Sequence, residues 1–351
     1  MSATPVIATT GARTPLGLSA PASAAALRAG LNGVKRHPFM VDREGEPMPL
    51  APDLELETGT TGTDRFSAIL ESAIREACAS LDGVSTTRPR VPAFVALPEP
   101  RPGFTAGDAD AILSALPDLA SLPIRVSELH PFALGHAGGL IALQSASEWI
   151  RSGTSELCLV AGVESYFEPA TMDWLEGRRQ LAVTNAPSPF IPGEAAGACL
   201  VMSDRLAARL GLSPLATVLT VANGWEDNRM GTQTVCTGEG LAATLAGAFG
   251  DLPAPRAADD VICDVNGERY RGEEWGLACL RLAPWVQDPS TYRAPADGLG
   301  DLGAAFGPVS LTLACEAGAR GYANGPLTLI WSSSERGDRA AALLEIPGLD
   351  G

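Results

Sequence analysis

Apolar runs of strand length alternate with helical stretches through most of the chain, the pattern of an α/β sandwich with buried sheets. These runs predict strands at Pro5–Thr9, Val91–Leu97, Leu157–Val163, Ala198–Met202, Ala216–Ala222, Val261–Val265, Leu327–Trp331 and Ala341–Glu345. Helical spacing predicts helices at Pro21–Gly30, Arg65–Leu81, Ala106–Leu116, Gly138–Ser152, Gly240–Phe249, Glu273–Leu282 and Ala304–Ala319. Between about Lys35 and Thr63 the chain is polar and rich in Pro, Gly and acidic residues, and it reads as a surface excursion or lid.

The helices Gly138–Ser152 and Ala304–Ala319 carry few charges and are apolar almost all round, so they belong at the centre of the molecule. The first follows Gly135-His136-Ala137 and the second spans or follows Gly300-Asp301-Leu302-Gly303-Ala304, and each leads into a core strand. This internal repeat, offset by 165 residues from His136 to Asp301, implies two related βα halves, 1–213 and 214–351. Each half then presents a polar side chain at the head of its central helix. Gly153 and Gly321 read as helix C-caps.

Composition narrows the function. Apolar residues make up 46% of the 351 positions and charged ones 19%, ample for a large core. The 38 glycines and 5% aromatics suggest elements packed at close approach. A net charge of −16 repels phosphate backbones and anionic lipid, so neither a nucleic-acid nor a membrane partner is expected. The seven cysteines are scattered, mostly in apolar runs, and read as buried reduced thiols of a cytoplasmic protein. No pair has zinc or redox spacing, and no cofactor is implied. The N-terminus lacks a basic segment with a long apolar stretch, and no window approaches about 18 apolar residues, so no signal peptide or membrane span is expected.

Several segments resemble the β-ketoacyl synthase branch of the thiolase superfamily. Val6 to Ala12 with Thr14-Pro15-Leu16-Gly17 is similar to that family's first strand and T-P-L-G turn. Gly139 to Leu143, Ile150-Arg151-Ser152-Gly153 and Ala161-Gly162-Val163-Glu164 resemble its nucleophile helix and following strand, and Gly193 to Ala198 its G-E-G-A-G-A turn with one glycine replaced. The order holds from Pro5 to Glu345. The resemblance implies a thiolase-like fold, an αβαβα layered sandwich with two buried central helices.

Condensing enzymes of that family attack an acyl thioester with a cysteine at the head of the first central helix, where dipole and backbone N–H groups favour thiolate and oxyanion. Two histidines of the C-terminal half assist decarboxylation. By the resemblance the nucleophile position falls on His136, the histidine of H-G-T on Asn266, and that of G-H-x-x-A-A-x-G on Asp301. All three are changed. The family's G-F-G-G-T-N loop is replaced by Ser332-Ser333-Ser334-Glu335-Arg336-Gly337-Asp338.

His136 and Asp301 admit two readings. A neutral imidazole with an Asp on its other nitrogen can activate water on a thioester, although a positive helix end disfavours the imidazolium. Alternatively the two side chains bond to each other and fill a lost site. A metal held by His136, Asp301 and Asp264 is a third idea, without supporting spacing. His37 and His130 read as loop residues. Trp174, Trp225, Trp275 and Trp285 read as core packing or partner anchors, and Asp227, Asn228 and Arg229 as a turn lining a surface pocket.

What the resemblance implies is a catalytically degenerate, ketosynthase-like protein that acts by binding, as a homodimer. Chains of this kind resemble those found with bacterial type VI secretion effectors, which implies an accessory or chaperone role. Two alternatives stand: a divergent acyl-thioester hydrolase or acyltransferase using His136 and Asp301, or a non-catalytic subunit paired with an active ketosynthase, as chain-length factors are. In the family the strand after the nucleophile helix pairs across a two-fold axis, which places the interface on Leu157–Val163. The −16 charge disfavours docking of an acidic acyl carrier protein. The chain is also short for an elongating ketosynthase.

Overall fold

The computed structural model describes residues 3–82, 88–116, 119, 122–182, 187–229, 232–252, 256–282, 285–286 and 288–348. In chain order the strands are β1 (Pro5–Arg13), β2 (Lys35–Val41), β3 (Pro47–Leu50), β4 (Arg90–Ala96), β5 (Arg125–Phe132), β6 (Leu157–Ser165), β7 (Glu194–Ser203), β8 (Ala216–Trp225), β9 (Asp260–Cys263), β10 (Leu327–Ser333) and β11 (Asp338–Glu345). The helices are α1 (Ala20–Arg28), α2 (Gly62–Ala79), α3 (Ala106–Ala115), α4 (Gly138–Ser152), α5 (Pro169–Gly177), α6 (Asp204–Leu210), α7 (Glu239–Gly250), α8 (Arg269–Cys279), α9 (Ala296–Leu299) and α10 (Phe306–Ala319).

Nine strands form one mixed sheet in the order β5-β4-β6-β7-β1-β8-β11-β10-β9. Only Val6–Thr217 and Ile7–Ala216 join its two parts, through β1 and β8. The central helices lie between them: α4 touches β4 and β6 on one side and β8 and β11 on the other, while α10 touches β6 and β7 as well as β10. Helices α2 and α3 cover the outer face of the first part, where Phe66, Ile69, Leu70, Ala73, Ile74 and Ala77 recur at helical spacing and are buried. Helices α7 and α8 cover the second. The layers are therefore αβαβα.

Small residues make the centre possible. Helices α4 and α10 cross at Gly139 and Gly307: a Cβ on Gly139 would sit 2.4 Å from Pro308 Cδ, and one on Gly307 2.9 Å from the Gly139 backbone. Helix α4 ends at Gly153, φ 77°, whose N–H closes on the Ile150 carbonyl.

The segment from Lys35 to Thr63 is mostly exposed but anchored on its inner side: β2 and β3 pair, Met48, Leu50 and Ala51 are buried, and the Ala51 N–H donates to the Pro192 carbonyl at 2.7 Å. Three expectations need correction. His37 is buried there, stacked on Phe167 at 5.0 Å, with Nδ1 accepting from the Met40 N–H at 3.0 Å. His130 lies on strand β5, face to face with Phe94 at 4.7 Å. Finally, Leu157–Val163 belongs to β6, which pairs with β4 on one side and β7 on the other. Both its edges are taken, so it cannot pair across a two-fold axis; among the described residues the open sheet edge is that of β5, because Arg293 bridges the outer side of β9.

Of the tryptophans, Trp275 is buried and stacked on Trp331 at 4.9 Å, Trp285 is stacked on Phe249 at 5.4 Å, and Trp225 is exposed. No helix among the described residues is long and apolar enough to cross a membrane.

Candidate functional site

His136 sits in a 3-10 turn, Gly135–Ala137, directly ahead of α4, and Asp301 precedes the matching turn Gly303–Ala305 ahead of α10. The crossing of the central helices brings these heads together. His136 Nε2 lies 2.9 Å and 3.1 Å from the two Asp301 carboxylate oxygens. Asp301 also accepts from Asn266 Nδ2 at 2.6 Å, Tyr166 OH at 2.9 Å and the Gly303 N–H at 2.9 Å. The three positions singled out in the sequence thus share one carboxylate.

Sequence reasoning missed the group that completes the cluster. Arg271, fully buried near the start of α8, donates Nη1 to Asp264 Oδ2 and to the Ser333 carbonyl, both at 2.7 Å, and Nε to Glu268 at 3.1 Å. Its Nη2 stands 3.4 Å and 3.5 Å from the His136 ring nitrogens. No sequence spacing flags it, because Asp264 follows β9, Glu268 is the residue before α8, and only Arg271 lies on the helix. Arg271 also answers the metal idea: a guanidinium, rather than a shared space for an ion, links Asp264 to His136. Among the described residues only Glu226, Cys236 and Glu274 bring three ligand atoms within 4.8 Å of one another.

Electrostatics follow from this geometry. Burial alone would push the Asp301 carboxyl up, but His136, Arg271 and Asn266 together hold it well below the usual carboxylate range. Burial and Arg271 oppose charge on His136, yet Asp301 and Asp264 outweigh them, and the imidazole is raised above its ordinary 6.5. The helix end still opposes the imidazolium, but the carboxylate in direct contact favours it.

A cleft of about 470 Å³ opens onto the cluster, with His136, Asn266 and Asp301 all on its wall. Arg101 and Glu164 line it as a buried pair at 2.5 Å, and Glu164 also accepts from the Ala304 N–H at the head of α10, at 3.2 Å. At the mouth, Arg178 pairs with Glu335 at 2.9 Å and Arg336 with Glu99 at 2.8 Å, and Arg229 lies over Trp225 at 5.5 Å. The loop Ser332–Asp338 reaches across the head of α4. There Ser334 Oγ accepts the Ala137 N–H at 2.9 Å and donates to the Leu134 carbonyl. The backbone N–H that follows the nucleophile position, on Ala137, is therefore bonded within the chain.

No cysteine stands ready as a nucleophile among the described residues. Six thiols are buried, and burial pushes Cys78, Cys158, Cys199 and Cys279 up to about 12 and the half-buried Cys236 up to about 11.

Neither a family model nor a curated protein matches the sequence. Solved structures do. The chain covers 99% of its own length and 100% of a chain from a type II polyketide acyl-carrier protein in complex with its ketosynthase, at 15% identity and TM-score 0.76. The ishigamide ketosynthase/chain length factor matches at 20% identity and TM-score 0.71 over 98% of this chain and 100% of that one. A β-ketoacyl synthase from Burkholderia phymatum matches at 16% identity and TM-score 0.71, with 99% of its chain covered. At these identities what is shared is the architecture, and the chain has the thiolase-like fold of the ketosynthases and chain length factors.

Proposed function

We propose that this protein is a non-condensing ketosynthase-fold protein that acts by binding, as a homodimer or as the partner subunit of an active ketosynthase. One observation carries the reading: the position where a thiolate would stand holds His136, ion-paired with Asp301, while Ser334 takes the adjacent Ala137 N–H. The side chain at that helix head and the backbone N–H after it are both engaged with other parts of the chain. The open edge of β5 offers a place for a second chain, and its residues Leu129, His130 and Phe132 are half-buried rather than covered. One neighbour is by its description a ketosynthase/chain length factor, which favours a synthase partner over a secretion effector.

The test is mass by light scattering of the purified protein, alone and co-expressed with an active ketosynthase from the same source. A dimer of either kind supports the reading, and a monomer in both preparations refutes it.

The cleft favours a second reading, an acyl-thioester hydrolase or acyltransferase in which His136 is the base. Incubation with acetyl-CoA and malonyl-CoA, following free thiol, separates the two. Sustained release that disappears in His136→Ala establishes catalysis; none above the buffer rate removes it.

A further inference from the structure

The two halves are not equally filled. In the first, an aromatic stack occupies the space between α4 and the outer strands: Phe94 of β4 faces His130 of β5 at 4.7 Å, and Trp149 of α4 meets both edge-on at 5.4 Å and 4.9 Å. Strand pairing identifies the related positions in the second half. Phe94 pairs with Val160 and His130; Ile262 pairs with Ile330 and bridges Arg293. Val160 and Ile330 are each fourth in strands that begin Leu157-Cys158-Leu159 and Leu327-Thr328-Leu329. Since the helices cross at Gly139 and Gly307, Trp149 corresponds to Ala317. Three rings are thus replaced by Ile262, Arg293 and Ala317, and the strand β5 by a single bridging residue.

The space is not refilled. A cavity of about 590 Å³ lies there, walled by Ile262, Arg293, Leu313 of α10 and residues of α1. It is separate from the cleft at His136, with which it shares no wall residue, and its volume is in the range of small-molecule sites.

Its polar groups are not mutually satisfied. Arg28 stands over the Tyr322 ring at 4.2 Å and has no carboxylate partner among the described residues. Arg293 pairs with Asp260, Nη2 to Oδ2 at 3.1 Å; its Nε and Nη2 are closed to solvent, while the side chain as a whole is 38% exposed. Asp260 is already held by the Asn324 N–H at 3.0 Å and Asn324 Nδ2 at 2.6 Å. Both arginines act on Tyr322, so they share one region. Tyr292 and Asp297 complete the wall, and the Asp297 carboxylate takes no hydrogen bond among the described residues.

A guanidinium with unused donors, as on Arg28, suits carboxylate or phosphate oxygens, and flanking rings suit a flat body. We propose that this cavity binds a small planar organic anion, its carboxylate or phosphate on Arg28 and Arg293, its ring against Tyr292 and Tyr322, and a hydroxyl or amine donating to Asp297.

Saturation-transfer NMR on the full chain tests it, with 4-hydroxybenzoate and adenosine 5′-monophosphate as probes and 4-hydroxybenzamide as the neutral counterpart. At least one anion should bind, and the amide about tenfold or more weaker, the usual worth of a charge-assisted hydrogen bond. Arg28→Met, at an exposed position in the last turn of α1, should reduce binding by a similar factor with the melting temperature unchanged. Ala24→Phe, which puts a ring into the cavity, should abolish it. The proposal is overturned if neither anion binds, if the amide binds as well as the acid, or if binding survives Arg28→Met. Whichever of the two anions binds decides between carboxylate and phosphate.

Discussion

Replacing Asp301 with Asn tests the site's electrostatics with almost no change of shape. The amide oxygen can keep Tyr166 OH and the Gly303 N–H, both of which use Oδ1. The NH2 then takes the place of Oδ2, facing Asn266 Nδ2 at 2.6 Å and His136 Nε2 at 2.9 Å, so donors meet donors. Breaking a buried pair by neutralising one partner costs about 3–5 kcal/mol. For 351 residues the unfolding entropy is roughly 0.7 kcal/mol/K, so the melting temperature should fall by about 4–7 °C. The loss should depend on pH with a definite sign. His136 is raised above 6.5, so its contribution is full below that value and fades as pH climbs through the folded-state pKa. Asp301 is held below 3.8, so its contribution is present above that value and fades only in stronger acid. The gap between native protein and variant should therefore be widest between about pH 4 and 6.5 and should narrow toward alkaline pH. Calorimetry from pH 5 to 9 measures it. A gap below about 1 °C at pH 5.5, or one that widens with alkalinity, would refute the ion pair.

Three further outcomes are expected. With Ellman's reagent the native protein should expose at most one fast-reacting thiol, Cys236, against seven after denaturation; two fast thiols would contradict the burial of the others. Gly139→Ala forces a methyl to within 2.4 Å of Pro308 and should lower stability by about 1–3 kcal/mol or more, read from urea unfolding, and an unchanged midpoint would place the helix crossing elsewhere. His136→Cys should take up no acetyl group from acetyl-CoA by intact mass, because the new thiol stands against the Asp301 carboxylate with the Ala137 N–H already bound; an adduct would show that the helix head remains fit for acyl transfer.

The sequence disclosed the frame better than the edges. All eight expected strands and seven expected helices form, because their apolar runs are buried on both faces or at helical spacing. Strand β5 escaped because Arg125, Glu128 and His130 interrupt it, as befits a sheet edge open on one side. The β2–β3 hairpin escaped for a different reason: its inward residues, His37, Met48 and Leu50, are anchored by contacts far away in sequence. Helix α8 begins at Arg269, before the expected Glu273, since its first turn faces the buried cluster rather than an apolar core. At the site, His136 and Asp301 were legible from the repeated helix heads. Arg271 and Tyr166 were not, because a lone Arg or Tyr next to an element end carries no pattern until the chain has folded. The error about Leu157–Val163 has the same root: an apolar strand announces that it is buried but not by what.

Four arginines, Arg65, Arg101, Arg271 and Arg339, are buried and paired with Glu194, Glu164, Asp264 and Glu274 at 2.5, 2.5, 2.7 and 2.6 Å. Stability is a weak account of them, because desolvation consumes most of what such pairs gain and apolar replacements of equal volume are often neutral or better. Their positions say more. Arg101 and Glu164 fix β6 to the head of α10; Arg271 fixes α8 to the Ser333 carbonyl beside His136. Arg339 fixes β11 to α8 and holds the carbonyl of Ser334, the residue that caps α4. Arg65 and Glu194 fix α2 to the start of β7, next to Ser165 and Asp53. Each pair pins a segment beside the cleft over His136. A site that had only to be filled after losing its chemistry would be served by apolar side chains collapsing into it. Walls held apart by paired charges, around a cleft that still reaches solvent, fit a surface kept in shape for something to bind.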